Sequence, residues 1–168
     1  MLWSSPQARV HAIINGRVVP GLAQRLEKAD VQGWQCLRPG ALPPDEMAAA
    51  PYVAELKPDA DFTRWLLSEA WAIHPGWGVV AVGPLNLLRM REHARRLLKV
   101  GLPDGSDSPW LWYDPALWEG LLPRLDGDQL MRVYGDLTDW VVTTPTEWRW
   151  HTLNAGRLVQ NARACKAD

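Results

Sequence analysis

A run of six residues, GVVAVG at 78–83, does most to limit what this chain can fold into. It is short, uncharged and rich in valine, which fits a strand buried on both faces. Such a strand has to lie inside a sheet, with strands beside it and helices packed over it. The next segment supplies a helix. Pro84 opens LNLLRMREHARRLLKV, in which Leu87, Met90, Ala94, Leu97 and Leu98 form an apolar stripe at helical spacing. Arg and Glu occupy the other side.

Shorter elements surround this pair. Residues 9–15, RVHAIIN, read as a strand, with Val10, Ala12 and Ile14 alternating and Asn15-Gly16 as its turn. Residues 20–30 read as a short helix with Leu22 and Leu26 on one face, and 33–37 as a second strand stopped by Pro39-Gly40. A loop over 38–51 with a helical turn at 45–50 leads to an extended segment, PYVAEL. Asp61 is expected to cap the helix FTRWLLSEAW. LPDGSDSP is a turn-rich hairpin or loop, and WLWYDP reads as a strand ended by Asp114-Pro115. The helices ALWEGLLPRL and DQLMRVYG follow, the second with Gly135 as C-cap. LTDWVVTT and EWRWHTL read as a strand hairpin, and the tail from Asn154 as weakly helical. The irregular alternation predicts an α/β or α+β fold, a small mixed β-sheet flanked by helices in a single compact domain. Its expected limits are 9–142, with an N-terminal extension at 1–8 and a C-terminal strand and tail at 143–168 as a short appendage.

The aromatic content is unusual: eleven tryptophans accompany one phenylalanine. Trp adds a large rigid surface and one N–H that wants a partner when buried, and it is enriched at binding hot spots. Most are expected to fill a core, as Trp65, Trp71, Trp118 and Trp140 do on apolar faces. Trp110 and Trp112, and Trp148 and Trp150, stand at alternate positions of expected strands. Each pair therefore shares a face, with Arg149 and His151 opposite the second pair. These four are the candidate partner-binding residues.

Several function classes lack support. The net charge of −1 advertises neither nucleic acid nor an anionic membrane as a partner. No apolar run reaches the length of a membrane span, and MLWSSPQARV lacks a signal-peptide core, so the expected compartment is the cytoplasm. Cys36 and Cys165 are expected to be reduced thiols. Arg89, Arg91, Arg95, Arg96 and Lys99 are expected to form a solvated basic face on the long helix. His11, His74, His93 and His151 are isolated from one another and from the cysteines, and no metal, nucleophile or phosphate-loop motif occurs. The expectation is a non-enzyme without metal or cofactor. Asp104 with Asp107, and Asp126 with Asp128, read as turn formers. Asp114 reads as the acceptor at the following helix start, with Arg95 or Arg96 as a further candidate contact.

The stretch from His93 to Trp140 carries an ordered set of motifs. They are His93, Arg95 and Arg96; Pro103, Asp104 and Gly105; Tyr113, Asp114 and Pro115; then Gly135 and Trp140. In this order and spacing the chain resembles the bacterial type VI secretion effector chaperones, or adaptors, of the Tap or Tec group, which share a domain long labelled as of unknown function. HAIINGRVVPGLAQRL and APYVAEL are similar to earlier family segments, so the likeness spans roughly 9–142. Asn15 stands where relatives often carry an acid, and Leu111 where they often carry Arg. The resemblance implies an adaptor that binds a cognate secreted effector in the cytoplasm and helps load it onto the spike protein of the secretion system. It also implies that His93, Arg95, Arg96, Tyr113, Asp114 and Pro115 form a structural motif. Trp148 and Trp150, outside the likeness, become the leading partner-facing candidates.

Two other classes remain in view. A carbohydrate-binding module would use coplanar exposed Trp faces on one strand. A hydrolase would join His93 or His151 to a carboxylate in a pocket.

Overall fold

The computed structural model describes residues 2–101 and 104–164. Pro103 of the Pro-Asp-Gly turn and Cys165 near the end of the tail fall outside them. The strand at the centre of the sequence argument is at the centre of the sheet. Gly78–Gly83 (β4) is buried along its whole length. It lies between Arg9–Asn15 (β1) and Asp139–Thr143 (β7). Gly78 is required where β4 meets β1, because a Cβ there would sit 1.9 Å from the Ile13 carbonyl oxygen.

The other strands are Gly33–Cys36 (β2), Pro51–Glu55 (β3), Glu147–Asn154 (β8) and Arg157–Ala164 (β9). Together they make a seven-stranded sheet of order β2-β3-β1-β4-β7-β8-β9. Every ladder in it is antiparallel. The expected sheet-and-helix fold therefore forms as a single compact domain. Lys99–Gly101 (β5) and Asp107–Pro109 (β6) pair separately as a small ribbon.

Strand alternation divides the core into two layers. Val10, Ala12 and Ile14 of β1, Val80 of β4 and Val141 of β7 face Leu22–Lys28 (α1). On the same side lies a helical segment made of Asp61–Arg64 (α3), a π-helical turn at Trp65–Glu69, and Ala70–Ile73 (α4). Ile13, Val53, Val79, Ala81 and Trp140 face the other way, toward Leu87–Arg96 (α5), Pro115–Leu121 (α6) and Gly127–Tyr134 (α7). A short helix, Pro44–Ala49 (α2), precedes β3. The arrangement is helix, sheet, helix, with an apolar contact on each face of the sheet.

The local structure corrects five readings. Asn86, not Pro84, caps α5, its side chain accepting the Arg89 N–H at 3.0 Å. The helix stops at Arg96, so that Lys99–Gly101 enters the ribbon whose turn contains Asp104 and Gly105. Asp61 is the first residue of α3 rather than its cap, and it pairs with Arg64. WLWYDP is not a strand. The Asp114 N–H bonds the Leu111 carbonyl at 3.0 Å, and Trp112 and Tyr113 both turn into the core. The tail is not helical either: β9 pairs with β8 from Asn154↔Arg157 to Glu147↔Ala164. Ala155 and Gly156, both at positive φ, make the tight turn between them.

Candidate interaction surface

Several described motif residues between His93 and Trp140 make structural hydrogen bonds. The neutral His93 ring, 4% exposed, donates from Nε2 to the Val133 carbonyl at 2.8 Å, and Arg96 reaches its Nδ1 at 3.5 Å. Burial, with the Arg96 charge, holds the His93 pKa below the usual histidine value, against the Val133 hydrogen bond and Asp136. Asp114 accepts the Ala116 and Leu117 N–H groups at 2.9 and 3.1 Å and so caps α6, with Pro115 following it. It meets neither Arg95 nor Arg96. Tyr113 is buried, and burial raises the pKa of its phenol.

The basic helix is not a simple solvated face. Arg91 Nη1 donates to Gln35 Oε1 at 3.2 Å. Arg95 donates from Nε to the Leu37 carbonyl at 2.9 Å, and from Nη2 to those of Cys36 and Arg38 at 3.0 and 3.3 Å. It thereby closes the end of β2, where the half-buried Cys36 sits.

The tryptophans divide differently from the sequence expectation. Trp112 and Trp150 do not lie at the surface: they are 0% and 6% exposed. Trp112 stacks with Trp118 and Trp140 into a buried triad with ring centroids 4.9–5.4 Å apart. Trp150 belongs to the opposite core layer, and the Arg163 guanidinium covers its ring at 4.7 Å. Trp110 and Trp148 are half-buried against the two layers, as are Trp65 and Trp71. Trp148 and Trp150 do share a face, with Arg149 and His151 opposite. No indole among the described residues is fully exposed, so no strand offers the paired open rings that a sugar-binding platform needs.

What remains open is the end of the sheet. β9 is the terminal strand, exposed at seven positions and half-buried only at Leu158. β8 beneath it is tied to α6. Glu119 accepts from Arg149 Nη1 at 2.5 Å and lies 3.5 Å from His151 Nε2, while Gln160 reaches His151 Nδ1 at 3.0 Å. The hairpin is thus anchored on its α6 side, and among the described residues no strand pairs with its outer edge. Sequence reasoning missed Arg157, Val159 and Arg163, all on β9. The signal was the Asn154-Ala155-Gly156 turn, followed by apolar residues that alone do not form a helical stripe.

Other polar groups do not assemble comparable surfaces. His11 is fully buried, with Nε2 3.6 Å from Glu55 Oε2, and Arg9 bonds Glu55 Oε1 at 2.7 Å. His11 and Arg9 hold Glu55 below the usual carboxylate range, against burial. A groove of about 520 Å³ runs between α1 and α3 and is lined by both signs of charge, Arg25 and Lys28 with Asp30 and Asp61. No histidine lines this groove, and the His151–Glu119 pair ties β8 to α6. Among the described residues no three or more His, Cys, Asp or Glu side chains are grouped to hold a metal ion, and no helix is long and apolar enough to cross a membrane. Asn15 is buried and accepts the Arg17 N–H at 3.0 Å, while Leu111 is 43% exposed.

A family model described as Domain of unknown function (DUF4123) matches residues 10–132, most of the chain. That span runs from β1 into α7 and leaves the β7–β9 end of the sheet outside it. No curated protein and no solved structure matches the chain.

Proposed function

We propose that this chain, which belongs to the DUF4123 family, is a non-enzymatic adaptor that binds a cognate type VI secretion effector and helps load it onto the spike protein. The ordered motifs between His93 and Trp140 support the reading through their resemblance to such adaptors. One structural observation carries it furthest: the exposed β9 edge, beside a strand tied to α6 through Glu119, Arg149 and His151, has no covering element among the described residues. A partner gains main-chain hydrogen bonds and a nearby half-buried indole, Trp148, at such an edge.

The test is co-purification. The folded chain, tagged, is mixed separately with the effector encoded beside its gene and with the corresponding spike protein. A stoichiometric complex with the effector is expected. Folded protein that binds neither overturns the reading.

A further inference from the structure

We propose that the outer edge of β9 receives an extended acidic segment of the partner as an additional strand of the sheet, selected by Arg157 and Arg163. The identity of the partner rests on the adaptor reading above; the chemistry of the segment rests on the edge itself.

The two ends of the sheet are built differently. At one end β2 has four residues, and Arg95 on α5 takes the carbonyls of Cys36, Leu37 and Arg38. At the other end β9 has eight residues, and all its ladder pairing is toward β8. A long open edge is a template for strand addition, and proteins usually blunt one with proline, a bulge, a central charge or a covering element. β9 has no proline and pairs with β8 residue for residue. Its two charges stand near its ends, and Val159, 40% exposed, lies between them.

Its charge pattern defines the occupant. β9 contains no acidic residue. Arg157 and Arg163 take part in none of the ion pairs among the described residues. Being an even number of positions apart, they share a face about 20 Å from one another. That face also carries Val159, opposite Thr152, and Asn161, opposite Trp150. Arg163 already lies over the Trp150 ring, which holds its guanidinium at the strand rather than loose in solvent. An added strand meets these residues with a carboxylate at each end of its facing side and an apolar residue between. A second copy of this chain fits less well, because pairing β9 with itself gathers four arginines along one seam with no acid to offset them.

Amide hydrogen exchange of the full chain tests this against three probes. They are the effector encoded beside its gene, a ten-residue peptide alternating valine or threonine with glutamate, and the same peptide with lysine for glutamate. Protection across 157–164 by the effector and by the acidic peptide is expected, with none from the lysine peptide. The double variant R157E/R163E, with unchanged exchange elsewhere, is expected to bind the acidic peptide at least tenfold more weakly. Effector binding without β9 protection overturns the edge proposal and leaves the adaptor reading standing. Protection by the acidic peptide with no effector binding does the reverse. No effector binding together with no protection by the acidic peptide overturns both, and protection that rises with protein concentration alone replaces the acidic segment with a second copy.

Discussion

His93 and Gly135 pack so closely that a Cβ on residue 135 would lie 3.1 Å from His93 Cε1. Gly135 also holds φ 54° and ψ −119°, a conformation that side chains disfavour. The turn after α7 thus depends on the absence of a side chain, and the His93 ring uses the space to bond the Val133 carbonyl. Gly135→Ala is expected to destabilise the fold by about 1–3 kcal/mol through backbone strain and displacement of the ring. Urea denaturation with an unchanged slope and a lower midpoint is the expected result. A variant as stable as the parent would mean that the α7 turn relaxes freely.

The same histidine makes stability depend on pH. Its native pKa is depressed, chiefly by burial, so the unfolded chain takes up a proton at a higher pH than the folded one does. Stability is therefore expected to fall as pH drops below about 6.5 and to keep falling until the native ring itself titrates. Protonation in place would also set His93 against Arg96, 3.5 Å away. His93→Gln, whose amide can still donate to Val133, is expected to be less stable at pH 7 yet to lose less between pH 7 and pH 5. Parallel stability curves for the two proteins would place the titration elsewhere, with Glu55 the first alternative at lower pH.

The central architecture was legible because its residues obey one rule at a time. Val79, Val80 and Val82 serve only a buried strand, and Met90 and Ala94 only a helix stripe. Asp114 before Pro115 reads correctly as a cap for α6. The sequence misled where tertiary packing chose between competing rules. Trp110 and Trp112 alternate as strand residues do, but Trp112 and Tyr113 are both needed in the core, and only a turn points consecutive side chains inward. Arg95 looks like a solvated helix charge until the end of β2 arrives beneath it. The tail from Asn154 has the alanine and arginine content of a helix, yet Ala155 and Gly156 turn it back along β8, where ladder hydrogen bonds outweigh a weak local preference. The candidate surface was half legible for that reason: the face shared by Trp148 and Trp150 could be read, but not the strand that covers Trp150.

Arg95 provides a direct test of how the short edge is closed. Its planar fork satisfies three carbonyls that a lysine, with one compact charge, cannot reach together. Arg95→Lys is expected to cost about 1–2 kcal/mol, the scale of a lost charge-assisted hydrogen bond with partial replacement. Amide exchange should quicken in β2, which Arg95 holds in place, and remain unchanged in β9. Uniform acceleration across the sheet would instead assign Arg95 to global packing.

The indole triad separates size from hydrogen bonding. Trp112, Trp118 and Trp140 are fully buried, and none of their N–H groups has a hydrogen-bond partner. Trp118 and Trp140 lie closest, at 4.9 Å and 67°, an edge-to-face contact that directs the positive rim of one ring toward the negative face of the other. Trp140→Ala empties the centre of this layer and is expected to cost about 3–5 kcal/mol. Trp140→Phe keeps an aromatic face there and forfeits no hydrogen bond, so it is expected to cost less than half as much. Urea midpoints of the two variants, measured beside the parent, give the comparison. A phenylalanine variant as damaged as the alanine one would mean that the N–H itself holds the triad, through a ring face or a buried water.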